Sequence, residues 1–239
     1  MTPAPILVIV VPCYNEEEVI PLAAGRLSEK LLELVSKHGI SEKSALLFVD
    51  DGSSDNTWAL IEKYQNEDPL VFGGIRLPEN TGHQNALLCG LLAAGSYADI
   101  TVSIDADLQD DIDAIGKMLE YFSFGYEIVL GVRSNRKADS IFKRISAFLF
   151  YRFMHLLNTE LVHNHADFRL MSRKAINALA EHQCPNMFLR AIVPRLGYKT
   201  AVVYYERKKR LAGKSKYSLW KMLALAFNGI NFIWNHRRV

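Results

Sequence analysis

The apolar positions of the chain fall in short runs, separated by longer stretches with a helical repeat. "PILVIVV" (residues 5–11) reads as a buried strand and residues 17–37 as a helix. "SALLFVD" (44–50) is a second strand, followed by a helix over 55–66 with Asp55 placed to cap it. "LVFGGIRL" (70–77), "DITVSID" (99–105) and "EIVLGVR" (127–133) are further strands, with helices over 83–94 and 111–124 between them. Apolar strands alternating with amphipathic helices predict an α/β domain with a mainly parallel central sheet and helices on both faces. The second half is less regular. Residues 141–157 read as a helix, "ADFRLMSRKAINAL" (166–179) as a short strand and helix, and "TAVVYYE" (200–206) as a strand. A basic loop, "RKKRLAGKSKYS", then leads to an amphipathic, aromatic-rich helix over 218–234.

In such sheets ligands bind at the carboxyl ends of the strands. Polar clusters sit at those ends: "CYNEEE" after the first strand, "DDGSSDNT" after the second, "DADLQD" after the fourth and "RSNRK" after the fifth. Four loops converging on one rim predict a site. The densest stretch is "SIDADLQDDID", in which Asp105, Asp107, Asp110, Asp111 and Asp113 crowd the end of an apolar strand. Residues two apart on an extended segment point the same way, so Asp105 and Asp107 would both face the crevice, with Gln109 next in line if the backbone stays extended. Hard cations such as Mg²⁺ or Mn²⁺ take carboxylate oxygens together with substrate phosphates. Asp110, Asp111 and Asp113 have a milder explanation as the negatively charged first turn of the next helix.

Charge sharpens this picture. Residues 1–129 hold 7 Lys+Arg against 21 Asp+Glu, and residues 130–239 hold 21 against 5. One half suits a cation and the other suits anions, although two solvated faces that attract each other would show the same bias. Several functions drop out on motif grounds. An EF-hand needs Gly and Glu where this chain has Asp110 and Gly116. A phosphotransfer D-x-D belongs on the first strand, and neither a Walker A loop nor G-x-G-x-x-G occurs. Nucleic-acid binding through "RKKRLAGKSK" is disfavoured because the nearby aromatics lie on a helix face. Cys13, Cys89 and Cys184 form neither a disulfide framework nor a metal-ligand spacing, which fits a reducing compartment. The start lacks the basic region of a signal peptide, and no run reaches the ~20 apolar residues of a membrane span.

The blocks "VPCYNEEE", "VDDGSSDNT", "DADLQD" and "GVRSNR", in that order, resemble those of inverting family 2 glycosyltransferases with the GT-A fold. The later blocks "ADFRLMSRKA" and "YERKKRLAGKSKYSLWKM" resemble the polyprenyl-phosphate branch, which includes dolichyl-phosphate mannose synthases and, more closely, bactoprenol glucosyltransferases. The resemblance implies a catalytic domain over 1–217, with a nucleotide-sugar half (1–132) and an acceptor half with a basic lid (133–217), followed by a juxtamembrane or interface helix over 218–239. It implies nucleotide-sugar contacts from Pro12, Tyr14, Asn15, Glu16, Val49, Asp50, Asp51, Asp105, Ala106 and Asp107. It implies metal ligation of Mg²⁺ or Mn²⁺ by Asp105, Asp107 and Gln109, and catalytic roles for Asp107, Arg133, Arg210 and Lys216. Asp167, Arg169 and Ser215 fall on the acceptor side, where Asp167 and Arg169 are equally readable as a structural ion pair.

The expected reaction is transfer of a hexose, glucose from UDP-glucose in the closer branch, to a polyprenyl phosphate at the cytoplasmic face of a membrane. GDP-mannose as donor, and a polysaccharide or glycan acceptor, are the alternatives within the fold. A catalytically dead sugar-nucleotide binder and a nucleotidyltransferase are the alternatives outside it. Members of the bactoprenol branch usually continue into two membrane-spanning helices, whereas this sequence runs out at "NGINFIWNHRRV". A longer natural chain and an interfacial helix are both compatible with that, as is packing of the helix on a second subunit in a homo-oligomer.

Overall fold

The computed structural model describes residues 3–135, 165–182 and 188–208. The expected helices over 141–157 and 218–234, together with Arg210, Ser215 and Lys216, lie outside the described residues. The elements run β1 (Leu7–Cys13), α1 (Ile20–His38), β2 (Ala45–Asp50), α2 (Thr57–Glu67), β3 (Phe72–Arg76), α3 (His83–Gly95), β4 (Ile100–Ser103) and α4 (Ala114–Ser123). They continue with β5 (Ile128–Asn135), β6 (His165–Ser172), α5 (Arg173–Glu181), α6 (Leu189–Ile192), a single 3₁₀ turn (Val193–Arg195) and β7 (Thr200–Glu206).

The strands form one seven-stranded sheet in the order β3-β2-β1-β4-β6-β5-β7. β1 pairs parallel with β2 and β4, β2 with β3, and β5 with β7. β6 is antiparallel to both neighbours, β4 and β5. The sheet is thus mainly parallel, as expected, but β6 is wedged between the fourth and fifth strands. Neighbouring apolar runs in a sequence do not reveal such an insertion, because the strand that separates them comes later in the chain.

Every residue of β1 is buried, and alternate side chains serve two different cores. Leu7, Ile9 and Val11 pack with Leu27 and Leu34 of α1 and Ile115 of α4. Val8 and Val10 pack with Leu87 and Leu91 of α3 and Ile176 of α5. Helices therefore cover both faces, which requires strands apolar on both sides. α3 lies especially close to the sheet. A Cβ at Gly90 would come within 2.5 Å of Val10 Cγ1 and 2.7 Å of Val49 Cγ2, so only glycine allows this approach. The consequence for the site is that α3 carries its first residue, His83, to a fixed place on the rim.

Candidate active site

The loops after β1 and β2 are tied together by polar contacts. Asn15, in the left-handed region at φ 52°, donates its backbone N–H to Ser53 Oγ (2.8 Å) and accepts from the Ser54 N–H on its own Oδ1 (2.8 Å). The Glu16 N–H donates to Thr57 Oγ1 (2.7 Å). The Glu17 N–H donates to Asp55 Oδ2 (3.2 Å), and Glu17 Oε2 accepts from the Asn56 N–H (3.1 Å). Asp55 also accepts from the Thr57 N–H, so the expected capping residue serves the start of α2 and the adjacent loop at once. Pro12 is buried within β1, while Tyr14 and Glu16 are half-buried at its mouth.

The β2 residues divide their work. Val49 is fully buried in the core beneath α3, so its side chain faces away from any ligand. Asp50 is also fully buried. Its Oδ1 accepts from the Ser53 N–H, and among the described residues its Oδ2 has only the Arg76 guanidinium, 3.7 Å away. Asp51, expected at the ribose or base, turns its carboxylate onto the turn before α3. It accepts from the Thr81 N–H (2.8 Å), Thr81 Oγ1 (3.0 Å) and the Gly82 N–H (3.0 Å). Gly52 follows at φ +67°, where a Cβ would sit 2.5 Å from the Glu79 carbonyl carbon. Beside it opens a cavity of about 370 Å³ lined by Gly52, Ser53, Arg76, Leu77 and Pro78.

The acidic stretch departs from the extended path predicted for it. β4 stops at Ser103, and Leu108 takes φ 48° as its N–H turns back to the Asp105 carbonyl. Asp107 Oδ1 accepts from the Gln109 N–H, and Ala106 is buried beneath the turn. Gln109 consequently leaves the line of the two aspartates. Its side-chain oxygen accepts from Arg207, and its carbonyl accepts from the Lys208 N–H at the end of β7.

Asp110 is not part of a helical first turn. It is 2% exposed, and its Oδ1 accepts from Tyr205 Oη (2.6 Å) and from Arg133 Nη2 (3.0 Å). α4 begins only at Ala114, with no acidic residue in its first turn, so of the three aspartates Asp113 alone stands at the helix start, as the N-cap without a side-chain cap hydrogen bond. Asp113 pairs with Lys30 and Asp111 with Lys208. The misreading has a simple cause: a run of acids before a helix looks like a cap whether or not a cation waits on a distant strand. Arg133, expected at the diphosphate, directs its guanidinium to Asp110 and Tyr205 behind the turn. Burial opposes its charge, but Asp110 and Tyr205 outweigh this and raise its pKa. The Tyr205 hydroxyl is likewise raised, by burial and then by Asp110.

Asp105 is less well satisfied than Asp110, whose Oδ1 is paired although its Oδ2 has no hydrogen-bond partner among the described residues. The Asp105 Oδ1 is buried and accepts no hydrogen bond among the described residues. Burial pushes its carboxyl up, to about 6; His83 pulls against this, and the Asp110, Asp107 and Asp167 carboxylates add to the rise. On the neighbouring strand β6, Asp167 is the opposite case. It accepts from Arg190 Nη2 (2.8 Å) and Nε (3.2 Å), from Gln84 Nε2 (3.1 Å), and from the buried Arg169. His83 Nε2 lies 3.4 Å away. Burial alone would raise its pKa, but Arg190, His83 and Arg169 hold it well below the usual carboxylate range. Arg169 is fully buried, and its own pKa is lowered by that burial. Of the two readings open for Asp167 and Arg169, the ion pair is the one observed.

Sequence reasoning missed His83, Gln84 and Arg190 as members of this cluster. Their only sequence signal was the "NTGHQNA" turn, since Arg190 sits on a four-residue helix too short to show a periodicity. Among the described residues no group of three or more His, Cys, Asp or Glu forms a closed metal cage. A divalent cation completed by a substrate phosphate needs one or two carboxylates from the protein. The unpartnered, buried oxygen of Asp105, next to Asp107 and surrounded by other carboxylates, is the donor chemistry such an ion takes.

The architecture is that of GT-A glycosyltransferases. The fold aligns with a mannosyltransferase, PcManGT of Pyrobaculum calidifontis in complex with GDP-Man and Mn²⁺, at a TM-score of 0.58 and 17% identity, covering 97% of this chain and 65% of that one. It aligns with glucosyl-3-phosphoglycerate synthase of Mycobacterium tuberculosis, solved with Mn²⁺, UDP-glucose and phosphoglyceric acid, at a TM-score of 0.58 and 15% identity, covering 97% and 79%. In sequence, residues 8–180 match glycosyl transferase family 2, and the chain belongs to that family. It is 50% identical over 226 residues to the uncharacterized glycosyltransferase YkoT of Bacillus subtilis, covering 95% of this chain and 67% of the relative. It is 35% identical over 223 residues to the bactoprenol glucosyl transferase of Shigella phage SfX, covering 93% and 70%. The chain therefore spans about two thirds of the length of these relatives. Among the described residues no helix is long and apolar enough to cross a membrane.

Proposed function

We propose that the chain transfers glucose from UDP-glucose to a polyprenyl phosphate, inverting the anomeric carbon and releasing UDP at a membrane surface. The observation that carries this reading is the Asp105–Asp107 edge, with its buried and unpartnered carboxylate oxygen, at the mouth of the tied β1 and β2 loops. The 35% identity to a bactoprenol glucosyl transferase supports the choice of sugar and acceptor. Asp105 and Asp107 would hold Mg²⁺ or Mn²⁺, which when bound neutralises charge on the departing diphosphate. Gln109, tied to Arg207, would join them only by exchanging that partner.

The rest of the work falls to the chain's own groups. The Asn15, Glu16 and Gly52 backbone, held by Ser53 and Thr57, shapes the nucleotide side, with Arg76 lining the cavity beside the buried Asp50. Arg133 fixes Asp110 and thereby the turn that carries the two aspartates. Arg210 and Lys216 would close over the diphosphate, with Ser215 on the acceptor side. A phosphate monoester has its second pKa near ~6, so the acceptor is largely ionised at neutral pH and needs no dedicated base. Asp167 supports this reading, because a carboxylate already shared among Arg190, Arg169, Gln84 and His83 is a poor proton acceptor.

The test is release of UDP from UDP-glucose by purified protein with Mn²⁺ and a polyprenyl phosphate, and its absence without the lipid. GDP release from GDP-mannose under the same conditions would make the chain a mannosyltransferase instead. No release from either donor with the lipid present would overturn the acceptor assignment.

A further inference from the structure

We propose that His83 is a positioning residue for the cation-binding edge: its imidazole holds Asp105 in place by bridging it to Asp167. The proposal rests on reading Asp105 and Asp107 as that edge. His83 Nε2 lies 3.6 Å from Asp105 Oδ1 and 3.4 Å from Asp167 Oδ2, so one ring nitrogen faces two carboxylates.

The need for such a bridge follows from the sheet. β4 and β6 are antiparallel and pair Ser103 with Arg169. Two residues further, the same register would set Asp105 directly opposite Asp167. Like charges directly opposed across a ladder are destabilising. The ladder instead ends at Ser103, and Asp105 enters an irregular turn where its Oδ1 accepts no hydrogen bond among the described residues. Neither strand pairing nor a close hydrogen-bond donor fixes that oxygen. The His83 imidazole, 3.6 Å from that oxygen and 3.4 Å from Asp167 Oδ2, is the group placed to hold it by charge.

His83 is well placed to serve, because everything around it is fixed. It is the first residue of α3, and the turn before it is held by three donors on the Asp51 carboxylate. The next residue, Gln84, donates to Asp167 and accepts from the Leu189 N–H. The helix behind is pinned to the sheet at Gly90. Asp167, the far end of the bridge, is anchored by Arg169 and Arg190. A chain of contacts thus runs from Asp51, on the nucleotide side, through the α3 turn and His83 to Asp105. Groups that hydrogen-bond a metal-binding carboxylate set its orientation, and their loss typically weakens metal binding by about 10–100-fold.

The experiment is a titration of Mn²⁺ into the full chain with UDP present, followed by electron paramagnetic resonance of the free ion at neutral pH. His83→Ala should weaken Mn²⁺ binding by about 10–100-fold, and His83→Gln, which keeps an N–H donor, should lose less. Melting temperature without metal, and UDP binding in chelator, should match the wild type; a merely structural role would lower those instead. Wild-type Mn²⁺ affinity in His83→Ala, alongside lost affinity in Asp107→Ala, overturns the positioning role. Wild-type affinity in Asp107→Ala would remove the cation edge itself, leaving His83 nothing to position.

Discussion

Asp105 and Asp167 follow adjacent strand positions on one rim, yet they are opposite kinds of carboxylate. Asp167 is 4% exposed and shared among two arginines, a glutamine and a histidine. Asp105 has a buried oxygen with no hydrogen-bond donor among the described residues and several carboxylates for company. Burial acts on both in the same direction. Their neighbours decide the outcome, so that Asp167 is held well below its ordinary pKa and Asp105 is pushed up to about 6. The difference separates a carboxylate matched by the fold from one left under-satisfied, which is the one the proposed function assigns to a cation. Local strain of this kind is tolerated at sites and offset elsewhere in the structure.

The contrast can be broken most decisively at the under-satisfied edge. Asp107→Ala should abolish UDP release while leaving the metal-free melting temperature within a few degrees of the wild type. Full activity in that variant would mean that the edge is structural. Asp167→Ala should do the reverse and act first on stability. It strands the fully buried Arg169, and breaking a buried pair in this way costs about 3–5 kcal/mol, measurable by urea unfolding. A loss below about 1 kcal/mol would show that Asp167 is not the anchor its contacts describe.

The pH dependence sharpens the same point. Because the folded-state pKa of Asp167 is depressed, its contribution is fully present above the unfolded carboxylate value of about 3.9 and is lost as pH falls through the lower folded value. Asp167→Asn should therefore flatten the acid limb of the stability profile. Tyr205→Phe removes the hydroxyl donated to Asp110 and should cost about 1–3 kcal/mol, with slower transfer if that cluster positions the turn. Smallest of all, Ser172→Ala, at the far end of β6, removes the side chain that accepts from the Ala175 N–H. It should cost about 1 kcal/mol and leave transfer unchanged.

The alternation of apolar runs and amphipathic stretches was enough to place all seven strands of the described sheet and the five longer helices, to within a few residues at each end. Strand ends followed by "CYNEEE", "DDGSSDNT" and "DADLQD" were enough to locate the rim. These signals are local, arising from burial on two faces and from loops that must stay polar. The roles of individual residues were less legible. Asp110 and Asp113 stand three apart in one acidic run, yet one is buried against Arg133 and the other lies on the surface beside Lys30. Asp51 reads from the sequence as a ligand contact, and the fold adds that its carboxylate holds the turn before α3.

What the sequence determined by itself was therefore the sheet, its two helical layers and the strand ends that form the rim, because periodicity is written into neighbouring residues. What only the tertiary structure decided was which carboxylates are matched and which are not. Asp110 pairs with Arg133 of β5, and Asp167 with Arg169 of its own strand and Arg190 of α6. The antiparallel insertion of β6 brings Asp167 alongside Asp105, and the start of α3 brings His83 to both. A carboxylate's energy depends on the charges and donors within a few ångströms, and those are set by packing rather than by the order of residues in the chain.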